Sequence, residues 1–268
     1  MAWVEALDLE PPADTRAVLT VPSALARVAE RSRPVALAGQ QALPVLPCLL
    51  ALLPDGLRRG TTVSIEPGPG ATALAMVLVA GASAGGSWVA AVGVPSLGLA
   101  ATAELGVAPE RLLVVDVGPG SQAGTGPGAT PVGPGRTGRV VAPATVVAAL
   151  IDAVDIVVLG SRVGSSDARR LAARAREQGA VVVALPGRWP GVADLRLRVD
   201  GGTWELPHRV LAARRVAVTA EGRGAAARAR RAALWLPGPD GSPAPVAGAD
   251  TGDEVVEVGD RVIAGAPA

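Results

Sequence analysis

Between residues 61 and 84 the chain runs from a short β-prone segment, through a glycine-rich turn, into a long apolar stretch. Thr61, Thr62, Val63 and Ile65 are β-branched and favour a strand. Glu66-Pro67-Gly68-Pro69-Gly70 cannot continue it, because proline gives no ladder donor and glycine weakens a strand interior. Residues 72–84 are too long and too uniformly apolar for a strand and read as a buried helix. A strand handed directly to a helix needs a sheet to lie in, and the same unit recurs downstream. Predicted strands at 88–94, 112–117, 156–159 and 180–185 alternate with predicted helices at 97–105, 144–153 and 167–178. The pattern predicts an α/β fold with a mostly parallel central sheet flanked by helices. After 185 the alternation changes. Residues 194–199, 214–220 and 231–236 all read as strands, so a β-rich segment is expected to close the core.

Other stretches lie outside this pattern. Residues 1–34 form a proline-containing lead-in, with Ser23 as a helix N-cap for 24–31. Residues 118–143 repeat Gly-Pro pairs without apolar periodicity and read as a flexible loop. Residues 242–268 are Pro/Gly-rich and acidic, a C-terminal tail. The core is therefore expected over 35–241. The 268 residues are 49% hydrophobic with a net charge of +1, a globular rather than a disordered composition. The single cysteine, Cys48, excludes an intramolecular disulfide and a cysteine zinc site. His208 is equally alone, and Ser161, Ser165 and Ser166 beside Asp167 fit a helix N-cap better than a catalytic serine. No basic-then-apolar leader and no uninterrupted apolar span of about 20 residues occurs, so a cytoplasmic protein with no membrane partner is expected.

The glycine turn occupies the position at which a P-loop would cradle phosphates, and a working P-loop adds a Lys that reaches the β- and γ-phosphates. Here Gly68, Gly70 and Thr72 are in place, but Ala71 stands where the Lys belongs. All 25 basic side chains in the sequence are arginines. Asn, Phe and Tyr are missing too, which reflects a G/C-rich codon bias. That bias does not remove a Lys that phosphate chemistry requires.

The order of elements, with Leu57-Arg58-Arg59-Gly60 before the turn, Glu104-Leu105-Gly106-Val107 and Leu112-Leu113 after it, and Asp155-Ile156-Val157-Val158-Leu159-Gly160-Ser161 as a Walker B strand, resembles the ATPase core of RecA over roughly 40–240. The resemblance implies a RecA-like P-loop core and shows three empty catalytic positions. Ala71 replaces the Lys, Gly160 stands at the Walker B Asp, and 93–95 carry no water-activating Glu. The turn is also one residue short. Phosphoryl transfer rests on positioning and charge stabilisation by these groups, so the chain is expected to be a pseudo-ATPase with no cofactor. The connections at 160–167 and 186–192 leave no room for RecA's DNA loops, and 1–34 shows no recognisable polymerising arm.

A core without ATP chemistry, DNA loops or self-assembly arm resembles the ImuA family, in its divergent ImuA-prime form. The Arg/Ala-rich closing part, Leu211-Ala212-Ala213-Arg214-Arg215-Val216 through Leu234-Trp235-Leu236-Pro237-Gly238, fits it. The resemblance implies a non-catalytic adaptor of a DNA-damage-induced translesion mutasome. Its partners would be an ImuB-like homologue of the Y-family polymerases and, through it, a DnaE-type error-prone polymerase and the sliding clamp. The protein would join the nucleoid when recruited. In RecA filaments a neighbour's arm adds to the edge strand after the second helix. The corresponding surface here is Leu112, Leu113, Val114 and Val115, flanked by Ala101, Leu105, Val146 and Leu150. An uncovered apolar edge strand is an aggregation hazard, and a partner segment could cover it by β-augmentation. The loop at 118–143 could cover it instead.

Arg209, Arg214, Arg215, Arg223, Arg228, Arg230 and Arg231 face one acid, Glu221, in the most basic part of the chain. They could contact nucleic acid phosphates weakly, or form a solvated sheet face that meets the acidic tail. Trp189, Trp204 and Trp235 could mark an interface, and in so aromatic-poor a chain are expected as core fillers.

Overall fold

The computed structural model describes residues 42–117, 142–205, 212–223 and 228–246. The expected lead-in at 1–34, most of the Gly/Pro loop at 118–143, Arg209 and most of the acidic tail lie outside the described residues.

Strands β3 (Thr62–Ile65), β4 (Val89–Val92), β5 (Leu112–Val115), β6 (Ile156–Leu159) and β7 (Val181–Ala184) alternate with helices α1 (Ala71–Ala84), α2 (Leu99–Glu104), α3 (Pro143–Ala153) and α4 (Ser165–Gln178). Strands β8 (Leu195–Glu205), β9 (Ala213–Gly222), β10 (Arg230–Trp235) and β11 (Ala244–Pro245) follow. They form one nine-stranded sheet in the order β11-β10-β9-β8-β3-β7-β6-β4-β5. Every pair from β8 to β5 is parallel, and β8 to β11 are antiparallel. This is the expected α/β core, with a mostly parallel sheet and a closing β-rich segment.

Strands β4, β6 and β7 are buried at every position. Helices cover both of their faces, which is why Val-Ala-Ala-Val, Ile-Val-Val-Leu and Val-Val-Val-Ala read as unbroken apolar runs. On one face α1 packs over β3, β8 and alternate residues of β4, β6 and β7. Leu74 and Leu78 of α1 are fully buried, each worth about 1.5–3 kcal/mol of transfer free energy. On the other face α3 and α4 cover Ala90, Val92, Val157, Leu159, Val182 and Ala184. Helix α4 buries only Ala168, Leu171, Ala172 and Ala175, and its arginines face water. Gly179, at φ 67° with its N–H on Ala175 O, terminates it in the left-handed region.

Side chains pin the amino ends of the strands. Thr62 N and Oγ1 donate to Asp194 Oδ2 at 2.9 and 2.8 Å. Arg59 pairs with Asp155 at 2.9 Å, and Trp88 N donates to the other Asp155 oxygen at 3.0 Å. Asp155 of the Walker B-like segment is thus a structural pin at the edge of the sheet opposite the glycine turn.

Several boundaries differ from the sequence reading. Helix α3 begins at Pro143, inside the expected loop, because proline suits a first helical turn. Strand β8 runs to Glu205 rather than stopping near 199. A two-stranded ribbon of β1 (Ala42–Leu43) and β2 (Leu57–Arg58) has no counterpart in the expected elements. The segment assigned to the tail contributes β11 to the sheet, pairing Ala244 with Trp235. Tryptophans 88, 189 and 235 are half-buried and Trp204 is 38% exposed, so none of these four fills the core interior. Cys48 is buried and free, and burial raises its thiol pKa to about 11. Among the described residues no helix is long and apolar enough to cross a membrane, and no cluster of His, Cys, Asp and Glu could hold a metal ion.

Candidate functional site: a glycine turn and a sheet edge

The glycine turn leaves the carboxyl end of β3, and Gly70 caps α1 at φ 88° without a side-chain hydrogen bond. The turn satisfies part of its own backbone. Ala71 N donates to Gly68 O at 3.2 Å and Leu74 N to Gly70 O at 2.9 Å. Ala71, in the lysine position, is 5% exposed and packs in the core with α1, whereas Thr72 is exposed. A long cationic side chain at 71 would start from a packed wall.

Two glycines stand where the RecA resemblance expects acids, Gly160 and, within 93–95, Gly93, and both are crowded. Gly93 follows β4 and Gly160 follows β6, and their backbones approach one another. A Cβ on Gly160 would lie 2.5 Å from Gly93 O and 2.5 Å from Val94 Cγ2. A Cβ on Gly93, itself at φ 63°, would lie 1.8 Å from Ser161 Oγ. A side chain at Gly160 would require backbone to move, and one at Gly93 would require the Ser161 hydroxyl to turn away and a left-handed φ to be tolerated. Ser161 is fully buried and its Oγ has no hydrogen-bond partner among the described residues. Leaving such a hydroxyl unpaired costs about 1–3 kcal/mol.

Arg214, expected among the arginines that could contact nucleic acid, is not on the accessible surface. It sits on β9, but its side chain turns inward with Val216 and Val218 and is 7% exposed. Its Nη1 donates to Pro69 O at 3.1 Å, inside the glycine turn. The alternation of β9 and β10 likewise separates the other arginines. Arg230 turns toward Leu52, donating to its carbonyl at 3.4 Å. Arg215 and Arg231 lie on the opposite face, where β8 contributes Arg196 and Arg198. The basic stretch is therefore not one patch. On that outer face Asp200 pairs with Arg198 at 2.5 Å and lies 3.9 Å from Arg231, and Arg196 stands across from Glu221. Glu66, Arg196, Arg198, Thr219 and Glu221 line a shallow depression there. Arg223 and Arg228 are exposed beyond it. Arg196 and Arg198 were legible in the Leu-Arg-Leu-Arg alternation, whose even positions must face away from the core.

At the other end of the sheet, β5 pairs with β4 alone, and among the described residues no strand pairs with its outer side. Gly93 N donates to Val115 O at 2.9 Å. The peptide groups of Val115 therefore face the sheet, and those of Val114 face the free edge. Val114 is 52% exposed; Leu112, Leu113 and Val115 are half-buried. Ala101 is exposed, and the half-buried Leu105 packs on the α1 side. Val146 is half-buried on the α3 side. Leu150 is 1% exposed, so it supports this edge from within and is not part of its accessible surface.

Residues 51–125 and 136–191 match the family model described as the MT3502 N-terminal domain. The uncharacterized protein Rv3395c of Mycobacterium tuberculosis is 36% identical over 148 residues, which are 52% of this chain and 62% of that protein. The chain therefore spans less than two thirds of that relative's length. Among solved structures, the RadB recombinase is similar at 17% identity with a TM-score of 0.46, over 70% of this chain and 92% of that one. By the family match, the parallel α/β portion of the chain is similar to the MT3502 N-terminal domain.

Proposed function

We propose that the chain is a non-catalytic adaptor built on a degenerate RecA-like core, a pseudo-ATPase that acts by protein contact. The observation that carries this reading is the crowding at Gly160, where a Cβ would meet Gly93 O and Val94 Cγ2, together with the Ser161 Oγ that stands where a side chain at Gly93 would begin. With Ala71 packed into the core at the lysine position, phosphoryl transfer loses its cation, its metal ligand and its water-activating group together. The contact surface is the β5 edge, whose outward peptide groups suit an added strand and whose flanks carry Ala101, Leu105 and Val146.

The ImuA resemblance gives this adaptor its setting, a translesion mutasome, and its partner, an ImuB-like polymerase homologue. Direct DNA binding is the weaker reading, because the outward arginines are interleaved with Asp200 and Glu221. Affinity capture of tagged protein from DNA-damaged cells tests the assignment. Recovery of an ImuB-like protein is expected. Capture of nucleic acid without any such protein would replace the adaptor reading with the DNA-binding one.

A further inference from the structure

Strands β8 and β9 do not stop where the parallel sheet stops. β3 ends its pairing at Ile65 opposite Leu197, and Glu66 N adds one more bond to Leu197 O. From there β8 continues to Glu205, paired with β9 down to Ala213. This hairpin lies against the glycine turn. A Cβ on Gly68 would sit 3.2 Å from Val199 O.

One side chain joins the two. The Arg214 guanidinium lies close to two glycines. A Cβ on Gly70 would lie 2.7 Å from Nη1, and a Cβ on Gly202 would lie 3.0 Å from Nε. Gly202 stands directly after a register shift in β8 that begins at Val199, and it pairs with Val216. The Trp204 ring, directly across from Arg214 in the ladder, lies 5.7 Å from the guanidinium carbon. The backbone of Arg214 is fixed from the other side, with its N–H on Pro237 O at 2.8 Å and its carbonyl accepting from Leu236 N at 2.7 Å.

This placement is expensive. A buried cation ordinarily has a carboxylate partner, and among the described residues none lies within ion-pair distance of Arg214. The amino end of α1 adds partial positive charge nearby. Offsetting terms are the charge-assisted bond to Pro69 O and the aromatic face of Trp204. Lysine lacks the planar guanidinium that can face the Trp204 ring while one nitrogen donates to Pro69 O.

We propose that Arg214 is a latch that fastens the β8–β9 hairpin across the glycine turn and holds the degenerate site shut. Opening the turn to any ligand then requires the guanidinium to leave its place, so turn and hairpin open as one unit. This device is independent of what docks at β5.

Hydrogen exchange on the full-length protein tests it. Arg214→Ala and Arg214→Lys are both expected to raise exchange by about tenfold in residues 66–72 and in residues 199–205 together, with β6 unchanged. Unchanged exchange at 66–72 in the folded arginine variants would overturn the latch. So would inorganic phosphate that protects 66–72 in the wild type but not in Arg214→Ala, because the arginine would then be an anion ligand.

Discussion

At Gly160 a Cβ would meet the backbone of Gly93 and the side chain of Val94, so the position resists any side chain. Restoring the missing acid by Gly160→Asp places a Cβ against Gly93 O, and a buried carboxylate follows it. We expect Gly160→Asp to lower the unfolding free energy by about 2 kcal/mol or more in urea titrations, without creating ATP turnover. A stable, hydrolysing Gly160→Asp protein would show that the two backbones separate readily. Cys48 makes a different prediction. Burial raises its pKa from 9.0 to about 11, so above pH 9 the unfolded chain releases a proton that the folded chain keeps. Stability should therefore fall between pH 9 and 11, and Cys48→Ala should flatten that part of the profile. An identical slope in the variant would assign the loss to other groups.

At the scale of elements, β5 is the place to intervene. The Val114 peptide groups face outward, so Val114→Pro removes an edge donor while sparing the ladder to β4. The variant should keep a wild-type circular dichroism spectrum. Loss of secondary structure would mean that the Val114 N–H bonds within the fold. The elements that carry this argument were legible in the sequence because β4, β6 and β7 are buried on both faces and α1 is apolar all round. What was not legible has definite physical causes. The strands β1, β2 and β11 are two residues each, too short to show a period. Asp200-Gly201-Gly202 has turn composition but forms a register shift inside β8. The arginines of β9 and β10 cluster in sequence, yet a period of two sends Arg214 and Arg230 to one face and Arg215 and Arg231 to the other. Their sum in sequence therefore overstated any basic surface.

For the whole molecule, the charge is near neutral, and on the outer sheet face Arg196, Arg198 and Arg231 have Glu221 and Asp200 beside them. Labelled single-stranded DNA should bind weakly and without sequence preference, and affinity should fall steeply with salt. Submicromolar affinity at physiological salt would instead make the β8–β10 face a nucleic-acid site. ATP should bind no more tightly than roughly millimolar, equivalent to about 4 kcal/mol. In the function proposed above, this core lends its β5 edge to a partner segment. The direct measurement is a binding titration of purified ImuB-like protein against wild type, Val114→Pro and Leu105→Glu. Saturable binding to wild type is expected, with at least about tenfold weaker binding to both folded variants, a loss of some 1.4 kcal/mol. Equal affinity for all three would contradict it and place the docking surface elsewhere on the chain.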